Sequence, residues 1–347
     1  MNIEKKLKEM SIEQKAALCV GMNFWMTREY PDLGIPSLFL SDGPHGLRKQ
    51  DVNASDHLGI NESHQSVCYP TACTTACSWD RDLMFRMGSM LGREAAQSGV
   101  DILLGPGINI KRSPLCGRNF EYFSEDPYLA GQLAASFVRG IQSAPVSACV
   151  KHFAANSQEN RRKAINAIMD ERTLREIYLP AFEAVVRLGD VDAVMTSYNK
   201  INGEYPAQNK HVSSDILRDE WGFDGVLLTD WGAMDKIVPS IKAGLNLQMP
   251  GDDGSSAAKI AAAVNAGELT EDELNRAASA LLRLADKLSA VAPVKPVTPQ
   301  ECHDFAAEVA RNSMVLLKNQ GGLLPLSAED SVAVIGEMAA SPRYQGA

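Results

Sequence analysis

Several things are missing from this chain, and each absence removes a class of function. No run of apolar residues is long enough to span a bilayer. The N-terminus, Met1-Asn-Ile-Glu-Lys-Lys-Leu-Lys8, has no apolar core of the signal-peptide kind, so the chain reads as cytoplasmic. There is no surplus of positive charge: 34 basic against 43 acidic residues give a net charge of -9, which argues against nucleic-acid and anionic-membrane partners. No C-x-x-C pair and no nearby pair of histidines completes a metal site, although Cys68, Cys73 and Cys77 lie close together in sequence. The seven cysteines therefore read as reduced thiols, most of them buried. Internal repeats and low-complexity tracts are also lacking.

What is present is an ordinary globular composition, 45% hydrophobic and 22% charged, over 347 residues, enough to bury a large core. One stretch stands out. In Gly225-Val-Leu-Leu-Thr-Asp-Trp-Gly-Ala233, three apolar residues form a strand buried on both faces, and the strand ends on Asp230 beside Trp231. A carboxylate there is costly unless it is partnered or used. Asp230 as a cap for the next helix is the plain reading, but other strands end in the same way. Ile35–Leu40 runs into Ser41-Asp42-Gly43-Pro44-His45-Gly46, Val100–Leu104 into Gly105-Pro106-Gly107, Ala148–Val150 into Lys151-His152, and Ala193–Met195 into Thr196-Ser197-Tyr198-Asn199.

Amphipathic helices separate these strands. Ser11 with Gln14 has capping-box form, Asp80 caps a helix running towards Gly99, and Asp126-Pro127 starts another. Thr173 with Glu176 reads as the start of a further helix, with a kink at Pro180. Ser214–Trp221 is a short helix, Ala243–Pro250 a late strand at a barrel seam, and 260–288 mostly helical. The alternation implies parallel β/α units. In a closed (β/α)8 barrel the strand ends share one rim, so Asp42, Lys151, His152, Tyr198 and Asp230 would meet there. Core packing alone would not demand such a convergence.

The expected architecture is α/β: a (β/α)8 TIM-like barrel over residues 1–289, a Pro-spaced linker over 290–300, and the beginning of a second α/β sandwich domain over 301–347. That last part is read as a helix followed by strands at 314–317 and 331–335, too little to bury a core by itself. Asp252-Asp253 in a Gly-rich loop reads as a turn rather than a cation site.

Five motifs in order carry a family resemblance: Asp42-Gly-Pro-His-Gly-Leu-Arg48, Gly105–Glu121, Ser124-Glu-Asp-Pro127, Lys151-His-Phe153 and Thr229-Asp-Trp-Gly232. Together they resemble glycoside hydrolase family 3, its bacterial β-glucosidases in particular, over essentially the whole chain. The resemblance implies a retaining hydrolase for terminal β-D-glucosyl residues with Asp230 as nucleophile, and neither metal nor organic cofactor. Such chemistry needs a second carboxyl about 5–5.5 Å from the first. It also implies that Asp42 accepts hydrogen bonds from sugar hydroxyls. Arg48, Arg118, Lys151, His152 and Arg162 match the polar wall of the sugar subsite, Tyr198 a residue close to the nucleophile, and Trp231 a pocket lining.

Four of these assignments have a plainer competitor: an Arg118–Glu121 ion pair holding the loop, a satisfied rim histidine at 152, a solvated Arg162, an Arg48 paired with a loop acid. No Glu or Asp here matches the family's acid/base, which its two-domain members take from the second domain. A single-domain branch uses a His-containing loop instead, but Asn156 stands where that motif continues to His. β-Xyloside or broader β-glycoside specificity, and a non-catalytic sugar-binding fragment, are the alternatives.

Overall fold

The computed structural model describes residues 1–52 and 63–342. Its centre is a five-stranded parallel sheet: β1 (Leu40–Asp42), β2 (Ile102–Leu104), β3 (Ser147–Phe153), β4 (Ala193–Thr196) and β5 (Val226–Thr229), in that spatial order. These are the expected apolar runs, and β2 to β5 are buried along their whole length, as a sheet covered on both faces requires. The register aligns Asp42 with Leu104 and Thr196 with Thr229, so the chain leaves every strand on one rim.

Short extended segments turn the sheet into a ring. Residues 246–249 lie beside β5 through a parallel bridge between Leu228 and Leu247, and beside residues 19–21 through a second bridge between Val20 and Gln248. The chain turns at 22–25, and Met26 pairs antiparallel with Phe39, which leads back into β1. The barrel reading thus holds with two modifications. The seam at 243–250 is held by single bridges instead of a regular strand, and one position of the ring is antiparallel.

Helices cover the outside. Asp80 accepts from the backbone of Asp82 and Leu83 to cap the helix Arg81–Gln97, and Asp126 caps Pro127–Ile141 through Tyr128. These two helices touch backbone to backbone: a Cβ on Gly88 would lie 2.1 Å from the Phe137 carbonyl oxygen, so only glycine fits. The expected start at Thr173 is displaced. Asp170 lies three residues upstream and its carboxylate accepts from Thr173 N–H at 2.7 Å. Pro180 offers no N–H, and before it the chain makes a wider turn in which Leu179 N–H bonds Leu174 C=O. The helix resumes over Pro180–Gly189.

The helix Pro299–Ser313, opened by a Thr298–Glu301 capping box, buries Cys302, Phe305 and Val309. Phe305 meets Tyr69 edge-on at 6.4 Å, and Arg86 lies over its ring while pairing with Glu308 at 2.8 Å. This helix is therefore seated on the barrel. The strands expected at 314–317 and 331–335 do not form. Leu317 and Ile335 are 91% and 90% exposed, and without a neighbouring strand to take up their backbone hydrogen bonds an extended segment stays unpaired. Among the described residues, no helix is long and apolar enough to cross a membrane.

Candidate active site

At the end of β1, Asp42 emerges into a loop that folds straight back, Arg48 N–H bonding the Asp42 carbonyl at 2.9 Å. The return is tight enough that a Cβ on Gly43 would meet Gly46 O at 2.5 Å, with Gly43 at φ +142°. From β3, Lys151 reaches across the rim and donates to Asp42 Oδ1 at 2.8 Å. Its ammonium also lies 3.7 Å from Glu121, a carboxylate that Arg118 binds from the other side. Lys151 is 3% exposed, so its charge survives only because two carboxylates surround it: burial pulls its pKa down, but Asp42 and Glu121 pull harder and raise it. For Asp42 burial pushes the carboxyl up, but Lys151 and then Arg48 outweigh it and hold the group at about 2.

This yields a stability prediction with a definite sign. A carboxyl depressed in the folded state stabilises the fold at pH values above its unfolded pKa of about 3.9, and that contribution disappears as the pH falls through about 2. Because Asp42 keeps a third of its side-chain surface in water, screening limits its share to no more than about 2 kcal/mol. Urea unfolding at pH 6 and pH 3 should show about half of that loss, since the folded carboxyl is still ionised at pH 3, and Asp42→Asn should reduce the difference. An unaltered pH dependence in the Asn variant would refute the assignment.

The deepest part of the cup is formed by β3 and β5. Asp230 leaves β5 with its carboxylate mostly buried. Its Oδ1 accepts from Trp231 N–H at 2.7 Å, while Oδ2 has no hydrogen-bond partner among the described residues and faces His152 Nε2 at 3.5 Å. Asn109 clamps the His152 backbone by accepting from its N–H and donating to its C=O, each at 2.8 Å. Burial, followed by the charges of Arg118, Lys151 and Arg162, pushes the imidazole well below its ordinary pKa, so it is neutral. Tyr198 is buried beside the nucleophile candidate. Its hydroxyl donates to Trp231 C=O at 2.9 Å, and burial together with the Asp230 charge drives the phenol pKa up. Arg162 lies over the Tyr198 ring at 4.2 Å and pairs with Glu159 at 2.7 Å.

The structure thus brings Asp42, Arg48, Arg118, Lys151, His152, Arg162, Tyr198 and Asp230 to one rim. The Trp231 indole is buried beside them: it donates to Phe24 C=O at 2.9 Å and leans on Trp25 at 5.3 Å, giving an aromatic wall. Glu121, Tyr122, Asn109, Asn156 and Glu159 also belong to the site, and the sequence reading gave none of them a role in it. Glu121 was recognisable only as Arg118's possible partner, and the others sit in loops with no periodic signal. Asp252 caps the turn before the helix Ser255–Asn265, accepting from Gly254 and Ser256 N–H.

Chemically, the cup offers a carboxylate with one fixed and one unpartnered oxygen, a neutral imidazole beside it, and a rim of cations and hydroxyls. Among the described residues, the carboxylates around it are committed: Asp42 to Lys151, Glu121 to Arg118 and Lys151, Glu159 to Arg162.

Known proteins resemble this chain along its length. Residues 54–284 match the Glycosyl hydrolase family 3 N terminal domain. The whole chain aligns at 48% identity with thermostable beta-glucosidase B of Acetivibrio thermocellus, of which it spans 46%. It is 42% identical to an exo-alpha-(1->6)-L-arabinopyranosidase of Bifidobacterium longum over 98% of this chain and 46% of that protein. The chain thus spans about half the length of the curated relatives it matches. Among solved structures, the Bifidobacterium adolescentis GH3 beta-glucosidase superposes with a TM-score of 0.90 at 41% identity, over 98% of this chain and 49% of that one. Beta-glucosidase 3B of Thermotoga neapolitana, solved with alpha-D-glucose, gives 0.86 at 36%, over 94% and 48%. The matched segment spans more than half of the chain and the fold superposes closely, and the chain belongs to glycosyl hydrolase family 3.

Proposed function

We propose that this chain carries the nucleophile and most of the sugar pocket of a retaining β-glycosidase that removes terminal β-D-glucosyl residues. The observation that carries the reading is Asp230: a buried carboxylate whose Oδ1 is fixed by a backbone N–H while Oδ2, facing His152 Nε2 at 3.5 Å, has no close hydrogen bond among the described residues. In this reading Oδ2 attacks the anomeric carbon as the glycosidic C–O bond breaks, and the leaving oxygen takes a proton. Water then cleaves the glycosyl ester with inversion, so configuration is retained overall. Asp42, Lys151, His152, Arg48, Arg118 and Arg162 hold the sugar hydroxyls, and the Trp231 cluster backs the pocket. The proton donor is a carboxyl from a second α/β unit outside these residues. Support for this comes from the site itself, where the carboxylates other than Asp230 are tied to cations, and Asp42 at about 2 is ionised and has no proton to give. The relatives' additional length leaves room for such a unit.

A pentopyranosidase is the second reading. The arabinopyranosidase relative supports it, and it includes the β-xyloside alternative. Steady-state assays with aryl β-glucoside, β-xyloside and α-L-arabinopyranoside separate the two, using both the whole protein and the 347-residue chain. The glucoside is expected to give the highest kcat/KM in the whole protein. The chain alone should be slower by roughly 10^2–10^4 on substrates with poor leaving groups, the size of a general-acid contribution. A pentoside preference would favour the second reading. Binding without turnover in the whole protein would favour a sugar-binding protein.

A further inference from the structure

Beneath the cup lies a chain of polar contacts that the reaction just described does not use. Glu159, held by Arg162 at 2.7 Å, accepts from Asn156 Nδ2 at 3.2 Å. The same Nδ2 donates to the Tyr122 hydroxyl oxygen at 3.2 Å, and that hydroxyl is 3.1 Å from His152 Nδ1. Across the ring, His152 Nε2 faces Asp230 Oδ2 at 3.5 Å. Tyr122 is fully buried and its ring stands edge-on to the imidazole at 6.1 Å.

We propose that Tyr122 and Asn156 are positioning residues that fix His152 in the tautomer carrying its proton on Nε2, so that this N–H is presented to Asp230 and to the substrate bound there. The proposal rests on the glycosidase reading for its consequence, but not for its geometry. The direction of each bond follows from what its partners can do. An ionised carboxylate only accepts, so Glu159 requires the NH2 end of Asn156, and the opposite amide orientation would set oxygen against oxygen. The Tyr122 oxygen therefore receives a hydrogen from Asn156, and its own single hydrogen is left to point at His152 Nδ1. With Nδ1 accepting, the proton of a neutral imidazole must sit on Nε2.

In the other tautomer the Tyr122 oxygen would accept from Nδ1–H as well as from Asn156, leaving its own buried hydrogen without an acceptor among the described residues, and an Nε2 lone pair would face the Asp230 carboxylate. The doubly protonated ring is opposed by the three cations facing it, Arg118, Lys151 and Arg162, and by burial. Asn109 already clamps the His152 backbone at both N–H and C=O. Ring placement is thus settled separately, and Tyr122 decides only where the proton lies. Asn156 acquires a function at the position where the sequence comparison recorded only a missing histidine.

Long-range 15N–1H NMR of the 15N-histidine-labelled chain reads the tautomer directly, with His152 assigned by its loss in His152→Gln. The expected wild-type signal is pure Nε2–H with no titration between pH 5 and 8. In Tyr122→Phe the donor to Nδ1 is gone, and loss of about 1 kcal/mol corresponds to roughly a fivefold shift toward the Nδ1–H form. Asn156→Ala removes only the orienting donor and should move the signal the same way by less. Formation of a glycosyl adduct from a 2-fluoro glucoside should slow about tenfold in Tyr122→Phe, a group acting through His152. A wild-type Nδ1–H signal, or a Tyr122→Phe spectrum unaltered from wild type, overturns the proposal. If the tautomer shifts as expected while no variant or wild type forms an adduct, the glycosidase reading fails and the positioning role stands.

Discussion

Exchanging Asp230 for Asn in the protein that carries this chain is expected to lower kcat on aryl β-glucosides by on the order of 10^4 or more, equivalent to about 5 kcal/mol of barrier. The exchange is nearly isosteric, and Trp231 N–H can still bond the retained oxygen, so the fold should be little changed. What disappears is the nucleophile: a neutral amide cannot form and release a glycosyl ester. The unpartnered oxygen makes the effect large. Oδ2 lies in a nearly buried site with no close hydrogen bond among the described residues, His152 Nε2 facing it only at 3.5 Å, so most of its charge is available to an electrophile. Steady-state kinetics with matched thermal melts checks this. A variant retaining a tenth of wild-type kcat would remove Asp230 from the chemistry.

Replacing Lys151 with Met should cost about 3–5 kcal/mol of stability, the range found when one partner of a buried charge set is removed. The methylene stem is preserved, so the loss is electrostatic. Asp42 and Glu121 would then face each other across the space that the ammonium occupied; Arg118 is paired with Glu121, and Asp42 keeps only the weaker fields of Arg48 and Arg118. Sugar affinity should fall as well, because Asp42 loses the contact that holds it at the rim. Adding Asp42→Asn to Lys151→Met should recover part of the stability, since neutralising the stranded carboxylate removes the repulsion, and the two changes should be strongly non-additive. Urea unfolding of the three variants measures the coupling. A Lys151→Met variant within about 1 kcal/mol of wild type would show the pair to be electrostatically unimportant.

The parts of this site that could be read from sequence were those where a short apolar run stops at a charged residue. Asp42 and Lys151 sit towards the ends of their strands and Asp230 directly follows one, and a parallel sheet delivers all strand ends to one rim. The loop contributions were not readable in the same way. Glu121 and Tyr122 reach the site because Gly107 pairs with both Tyr122 and Lys151, a register that depends on tertiary packing. The ring is closed by bridges at Val20, Met26 and Leu247, too short to leave a period-two pattern. The cap at residue 170 was missed because Thr173-Glu176 satisfies a local rule that Asp170, three residues earlier, satisfies in competition. The apolar stretches after 313 have strand composition, but composition supplies no partner, and the backbone stays unpaired.

The central claim is that Asp230 attacks sugar, and intact-mass spectrometry of the chain after incubation with an activated 2-deoxy-2-fluoro aryl glucoside tests it most directly. Such a leaving group needs little protonation, so the result does not depend on a carboxyl from elsewhere. The account predicts one added fluoroglucosyl group, mapped by peptide sequencing to Asp230 and absent from Asp230→Asn. No adduct at all, or an adduct that persists in the Asn variant, would contradict it.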